Sequence, residues 1–480
     1  MVIALDLGTS SARAALYDAR GRAVSGRFHQ VPYEPATTRD GGVEHDPAKL
    51  LEATAACLDA VVRAARHDEI RAVGVTSFWH GLMGFDAGHR PVTPLFMWAD
   101  SRSARDAGVL RAALDEDALH ARTGCHLHSS YWPAKLRWLA RERPAEAQRV
   151  TRWGSIGEHL ELTFFGETAT SLSMASGTGL LDQDALRWDA EALAAAGIDV
   201  EQLVPIAGGT EGRRGLRAPW ARRWPALRGV PWFPAVGDGA ASNIGSDCTD
   251  PGRVALNVGT SAALRIVSQT AVVPPRGLWR YRVDRRRGLI GGATSEGGNV
   301  WAWCREVLRL PDDDAVERWL AERTPDAHGL TLLPFLAGER APGWRGDRRG
   351  AITGLSLDTT ALDVVHAALE AVALRLTLVY ELLAPHAAPD HAIVVSGGAV
   401  SRSRAWTQML ADALGRAVHL SPEAEATSRG AALLALEAVG VLPVVRAVGA
   451  PLGEVFAPDA AHHARYRAAL ERHRRLDVRV

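Results

Sequence analysis

Ile3-Ala-Leu-Asp-Leu-Gly-Thr-Ser-Ser11 and Val254-Ala-Leu-Asn-Val-Gly-Thr-Ser-Ala262 are two versions of one pattern, set about half of the 480-residue chain apart. In each, a short apolar strand runs into Gly-Thr-Ser and then into more strand-like sequence, so one strand–turn–strand unit occurs twice. Glycine lets backbone N–H groups approach an anion, and the adjacent hydroxyls add donors. The pattern predicts two phosphate-facing turns, one from Gly8, Thr9 and Ser10 and one from Gly259, Thr260 and Ser261. Asp6 ends the first strand, placed to hold Mg²⁺ or its waters, and Asn257 takes that position in the second copy. A single such turn is better explained as a hairpin without a ligand. The pairing is what points to a nucleotide.

Outward from these turns the chain alternates apolar runs with Ala/Leu-rich helical stretches, the pattern of α/β layers. Val2 to Leu5, Ala72 to Val75, Val254 to Val258 and Ala392 to Val395 read as buried strands. Pro47 to Ala65, Leu362 to Leu383 and Ser428 to Val439 read as covering helices. Pro205 to Pro234, rich in Gly, Pro, Arg and Trp without periodicity, marks a boundary. Residues 1–234 and 235–457 are therefore expected as two domains, with 458–480 a terminal helix packing back on the first.

Fifty-five basic and 55 acidic residues give a formal charge of +0, so no basic field exists to gather nucleic acid or acidic membrane. A small-molecule partner is the expectation, and the charge balance permits a homodimer. Four scattered cysteines argue against a zinc site or a disulfide framework. With no signal-peptide pattern and no long apolar span, a cytoplasmic location is expected.

Phosphoryl transfer to an alcohol needs a phosphate cradle, Mg²⁺ and a group to accept the hydroxyl proton. A Walker loop is absent, which leaves the cradle to the paired turns. Gly237-Asp238-Gly239 lies between an apolar strand and a small-residue helix, at the carboxyl end where open α/β sheets place ligands. Its flanking glycines leave the acid accessible, so Asp238 is the candidate base; a helix N-cap is the competing reading. Gly397-Gly398 follows a strand and leaves backbone free for a flat adenine, although tight helix packing explains such glycines equally well.

The ordered set resembles the FGGY carbohydrate kinases. The motifs are Leu5 to Ser11; Trp98-Ala-Asp-Ser-Arg102; Gly237 to Gly245; Asn257 to Ser261; Leu333-Pro-Phe-Leu-Ala-Gly-Glu-Arg-Ala-Pro342; Gly350 to Leu355; and Gly397-Gly398 with Trp406 and Asp412. The resemblance implies two duplicated actin-like, ribonuclease-H-like ATPase domains around a deep cleft that closes on its substrate. It implies ATP and Mg²⁺, with Asp238 as base and also near the metal, Asp6 at the metal, Gly259, Thr260 and Ser261 on the nucleotide, and Gly397, Gly398 and Ala399 near adenine. Trp79-His80-Gly81 is similar to the xylulose kinases. The Trp98–Ser103 and Arg122–His128 segments look closer to the gluconate kinases. Gluconate is the preferred substrate, with xylulose or another pentulose or polyol the alternative, and Arg102, His126 or His128 are available for a sugar carboxylate. A sugar sensor or an actin-like ATPase without sugar chemistry is the competing class; it would not need the acid at 238.

Overall fold

The computed structural model describes residues 1–65, 69–207, 212–269 and 272–479. The strand Val2–Leu7 is buried at every position, as a strand covered on both faces must be. It pairs antiparallel with Ser11–Tyr17 across the first Gly-Thr-Ser turn and parallel with Ala72–Ser77. Ala23–Pro32 and Val236–Gly237 complete a five-stranded mixed sheet at its two edges. The helix Pro47–Ala64, started by the Asp46 cap and Pro47, packs on the hairpin side.

The second copy repeats this plan. Arg253–Val258 pairs antiparallel with Ala262–Ser268 and parallel with Ala392–Ser396, inside a seven-stranded sheet. The repeat detected in sequence is thus a duplicated fold in which each Gly-Thr-Ser turn closes the central hairpin of its own sheet. Between the sheets, helix Asp238–Gly245 crosses helix Ala426–Ala438 at very close range. A Cβ at Gly245 or Gly430 would overlap a backbone oxygen of the opposite helix, so only glycine permits the crossing.

Two expectations about domain limits need correction. Val236–Gly237 hydrogen-bonds to Ala72–Ser77, so a boundary after residue 234 would cut the first sheet. The terminal helix Ala460–Arg479 does not return to the first half. It packs on Ala361–Leu383, Arg404–Leu414 and Thr331–Leu333, where Tyr466 donates to Glu370 at 3.1 Å and Asp477 meets Arg375 at 2.9 Å. Its sequence shows an amphipathic helix but nothing of the distant partners that its polar groups require.

Candidate functional site

The two turns open into the space between the sheets. Gly8 N–H donates to Ser11 O and Gly259 N–H to Ser261 O, both at 2.9 Å, so the duplicated turns share one closure. Around the first, Tyr33 donates to Gly8 O at 2.7 Å and His45 contacts Thr9 O at 3.0 Å, leaving Ser10 exposed. Against the second, Gly298 N–H donates to Gly259 O at 2.7 Å and Asn299 N–H to Thr260 O at 3.1 Å. Gly397 adopts φ +111°, a conformation suited to glycine, and Ala399 N–H reaches Val258 O at 3.3 Å. Gly259, Thr260, Gly397 and Ala399, far apart in sequence, therefore meet at one place.

Asp238 is the first residue of its helix rather than the cap. Gly237 occupies the cap position, and the Asp238 carboxylate accepts from Gly239 N–H at 2.7 Å and from the backbone N–H of Trp79. Burial raises its pKa, opposed chiefly by the charge of Arg265 and then by the Gly239 hydrogen bond and by Arg340. A carboxylate moved upward is a better proton acceptor than one at the usual value.

Asp6 lies within electrostatic reach of Asp238 and Glu425. Burial pushes its pKa up to about 7, against the pull of Arg13 at 3.3 Å. One of its oxygens is buried with no hydrogen-bond partner. An orphaned carboxylate oxygen between the first Gly-Thr-Ser turn and a second acid fits Mg²⁺, which is commonly held by one or two carboxylates plus phosphates and waters. Among the described residues, the one set of three metal-ligating side chains close enough for a single ion is His328, His366 and Glu370. That set is already saturated. Both histidines contact Glu370, at 2.9 and 3.0 Å, and Leu330 N–H donates to His328 Nδ1, which leaves the proton on the Nε2 that a metal would need. It pins a loop to a helix.

Comparison with known proteins matches residues 1–245 to the FGGY family of carbohydrate kinases, N-terminal domain, and residues 254–439 to the C-terminal domain of the same family. The chain belongs to the FGGY family of carbohydrate kinases. It is 27% identical over 467 residues to a gluconokinase of Bacillus subtilis (strain 168), covering 95% of this chain and 91% of that one. It is 30% identical over 453 residues to glycerol kinase 1 of Pseudomonas aeruginosa, covering 90% and 89%. A ligand-bound xylulose kinase from Lactobacillus acidophilus shares its fold with a TM-score of 0.91 at 25% identity, covering 99% and 97%.

In this FGGY kinase Trp79, His80 and Gly81 come one residue after strand Ala72–Ser77. The Trp79 indole donates to Ser173 O at 2.9 Å and packs on Tyr281 with centroids 4.8 Å apart. His80 takes φ +67° and its Nδ1 lies 2.6 Å from Gly177 O, so Nδ1 carries the proton and Nε2 is left as an acceptor for a hydroxyl. Burial holds its imidazole neutral. Lys135 fixes this loop by donating to His80 O at 2.9 Å and Met97 O at 2.7 Å. Gly81 is tightly packed, since a Cβ would come within 3.0 Å of Phe78 and 3.2 Å of Leu95.

Arg102 is not available to a substrate. Its guanidinium is buried between Asp100 and Glu44, each at 2.5 Å, and stacks on Trp138 at 4.4 Å. His126 is similarly occupied, accepting from Gly277 N–H at 3.2 Å and stacked on His120 at 4.0 Å. His128 does face the cleft residues: it lies within electrostatic reach of His80 and Arg340, and its Nε2 is buried without a partner.

The residues that sequence reasoning missed are Arg265 and Arg340. Both feel the charge of Asp238, and among the described residues neither takes part in a salt bridge. Arg340 stacks on Trp98 at 5.2 Å and has a buried Nε without a partner; the same holds for Nη1 of Arg265. Arg340 stood inside the quoted Leu333–Pro342 motif without a role. Arg265 had no distinguishing signal among 55 basic residues.

Proposed function

We propose that this kinase transfers the γ-phosphoryl group of ATP to a hydroxyl of a sugar acid, with gluconate as the first substrate and 6-phosphogluconate as its product. The observation that carries this reading is the pair Arg265 and Arg340, two largely buried guanidiniums that share the single charge of Asp238 and form no ion pair with any carboxylate among the described residues. Buried charges are ordinarily paired, and a substrate carboxylate supplies the missing partner. The gluconokinase relative is consistent with that choice.

The chain's groups divide the work. His80 Nε2 and His128 Nε2–H orient hydroxyls, and Trp79 and Tyr281 wall the sugar pocket. Gly8, Thr9, Ser10, Gly259, Thr260 and Ser261 face the phosphates, while Gly397, Gly398 and Ala399 lie toward adenine. Asp6 holds Mg²⁺, which when bound neutralises phosphate charge. Asp238 accepts the proton of the attacking hydroxyl.

A panel of gluconate, xylulose, ribulose, fuculose, glycerol and erythritol, followed by ADP release, tests the reading. Gluconate is expected to have the highest kcat/KM, and Arg340→Leu to lower it roughly 10- to 100-fold for gluconate, the worth of a charged hydrogen bond, with little change for neutral sugars. Turnover of xylulose without gluconate, or an equal loss on all substrates, contradicts it.

A further inference from the structure

A cavity of about 610 Å³ is lined by none of the residues assigned above to nucleotide or sugar. It lies where the edge of the first sheet meets helix Ala426–Ala438 and the turn 283–287 of the second half. Its floor is apolar, formed by Val75, Leu172, Phe233, Val236 and Leu434. Its rim carries three consecutive arginines. Arg287 is paired to Asp284 and, at 2.6 Å, to Glu437. Arg286 is 72% exposed and 3.6 Å from Glu437, and Arg285 is exposed with no ion pair among the described residues. Two acids against three guanidiniums leave the rim cationic over a greasy floor, with a volume typical of small-molecule sites.

The walls also lead straight into the reaction site. Val236 lies two residues before Asp238. Leu172 adjoins Ser173, whose hydroxyl accepts from Gly237 N–H at 3.0 Å and whose carbonyl accepts from Trp79. Val283 is two residues from Tyr281, which packs on Trp79. A ligand that shifts these walls shifts the supports of Asp238 and Trp79, and because the walls come from both halves it also bears on their relative closure.

We propose that this cavity is a regulatory site for a small amphipathic anion, an apolar or aromatic body carrying one carboxylate, sulfonate or phosphate, whose binding alters turnover. The probe is 8-anilinonaphthalene-1-sulfonate, titrated by fluorescence with ADP and sugar both saturating. One saturable site is expected, weakened roughly tenfold or more in Arg285→Glu/Arg286→Glu, as loss of charge-assisted contacts requires. The neutral N-phenyl-1-naphthylamine should bind as weakly to the wild type as the sulfonate does to that variant. Bound sulfonate should change kcat/KM of the wild type but not of the variant, whose basal activity is retained because neither arginine touches the reaction site. Leu434→Trp, which fills the floor, should abolish the fluorescence response. Displacement of the probe by ADP, equal affinity in the charge-reversed protein, equal affinity for the neutral probe, or bound probe without effect on kcat/KM overturns the proposal.

Discussion

The indole of Trp79 lies so close to Gly237 that a Cβ at 237 would fall inside the ring, and a Cβ at Gly239 would come within 2.7 Å of its far edge. The glycines on either side of Asp238 therefore serve to seat Trp79, which in return donates its backbone N–H to the Asp238 carboxylate. The expectation that they simply leave the acid accessible misses this lock. Trp79 has little room to retreat, since Tyr281 and Ser173 hold its other sides.

Gly237→Ala should accordingly destabilise the protein by about 1–3 kcal/mol through overpacking and lower kcat by displacing Trp79 and Asp238. Trp79→Phe, with its smaller ring, should recover part of that stability in the double variant. Thermal unfolding of the four proteins of the cycle checks this; additive losses would show that the two residues do not meet.

Arg102 now belongs to stability rather than to specificity. Arg102→Leu leaves buried Asp100 without its ion-pair partner and Glu44 with Arg143 alone, a loss of about 3–5 kcal/mol. Urea denaturation should register it, while the sugar KM of the remaining folded protein stays within about twofold of wild type. A large rise in KM at unchanged stability would restore Arg102 to the sugar site.

Asp6 predicts a pH dependence of cation binding. Burial raises its folded pKa to about 7 from an ordinary 3.8, so below pH 7 the ligand-free protein holds it protonated, and only the ionised form binds a divalent cation. Mn²⁺ affinity measured by calorimetry should rise roughly tenfold per pH unit up to about 7 and level off above it. Asp6→Asn should bind weakly and without that slope. Because a raised acid weakens folding as pH climbs from 3.8 through 7, the same substitution should raise Tm more at pH 8 than at pH 5.

Much of this was legible in the chain. The paired strands Val2–Leu7 and Arg253–Val258 declare themselves because a strand buried on both faces is continuously apolar, and each Gly-Thr-Ser turn is local chemistry. Asp238 could be placed for the same reason: the strand end, the glycines and the helix are contiguous. The rest depends on contacts distant in sequence. Arg340 and Arg265 become notable only once the folded chain brings both to Asp238 with no ion pair to another acid among the described residues. Arg102, equally prominent in its motif, proves to be neutralised by Glu44, 58 positions away. The terminal helix failed for a similar reason: an amphipathic pattern states that a face is buried, not against which half.

The central claim is that Asp238 accepts the proton of a sugar-acid hydroxyl. The most direct measurement is gluconate-dependent ADP release by wild type and Asp238→Asn, with ADP affinity determined on the same preparations. Turnover with gluconate should fall by roughly 10²- to 10⁴-fold in the variant, the loss lying in kcat while nucleotide affinity is unchanged. Turnover by Asp238→Asn within a few-fold of wild type would contradict it.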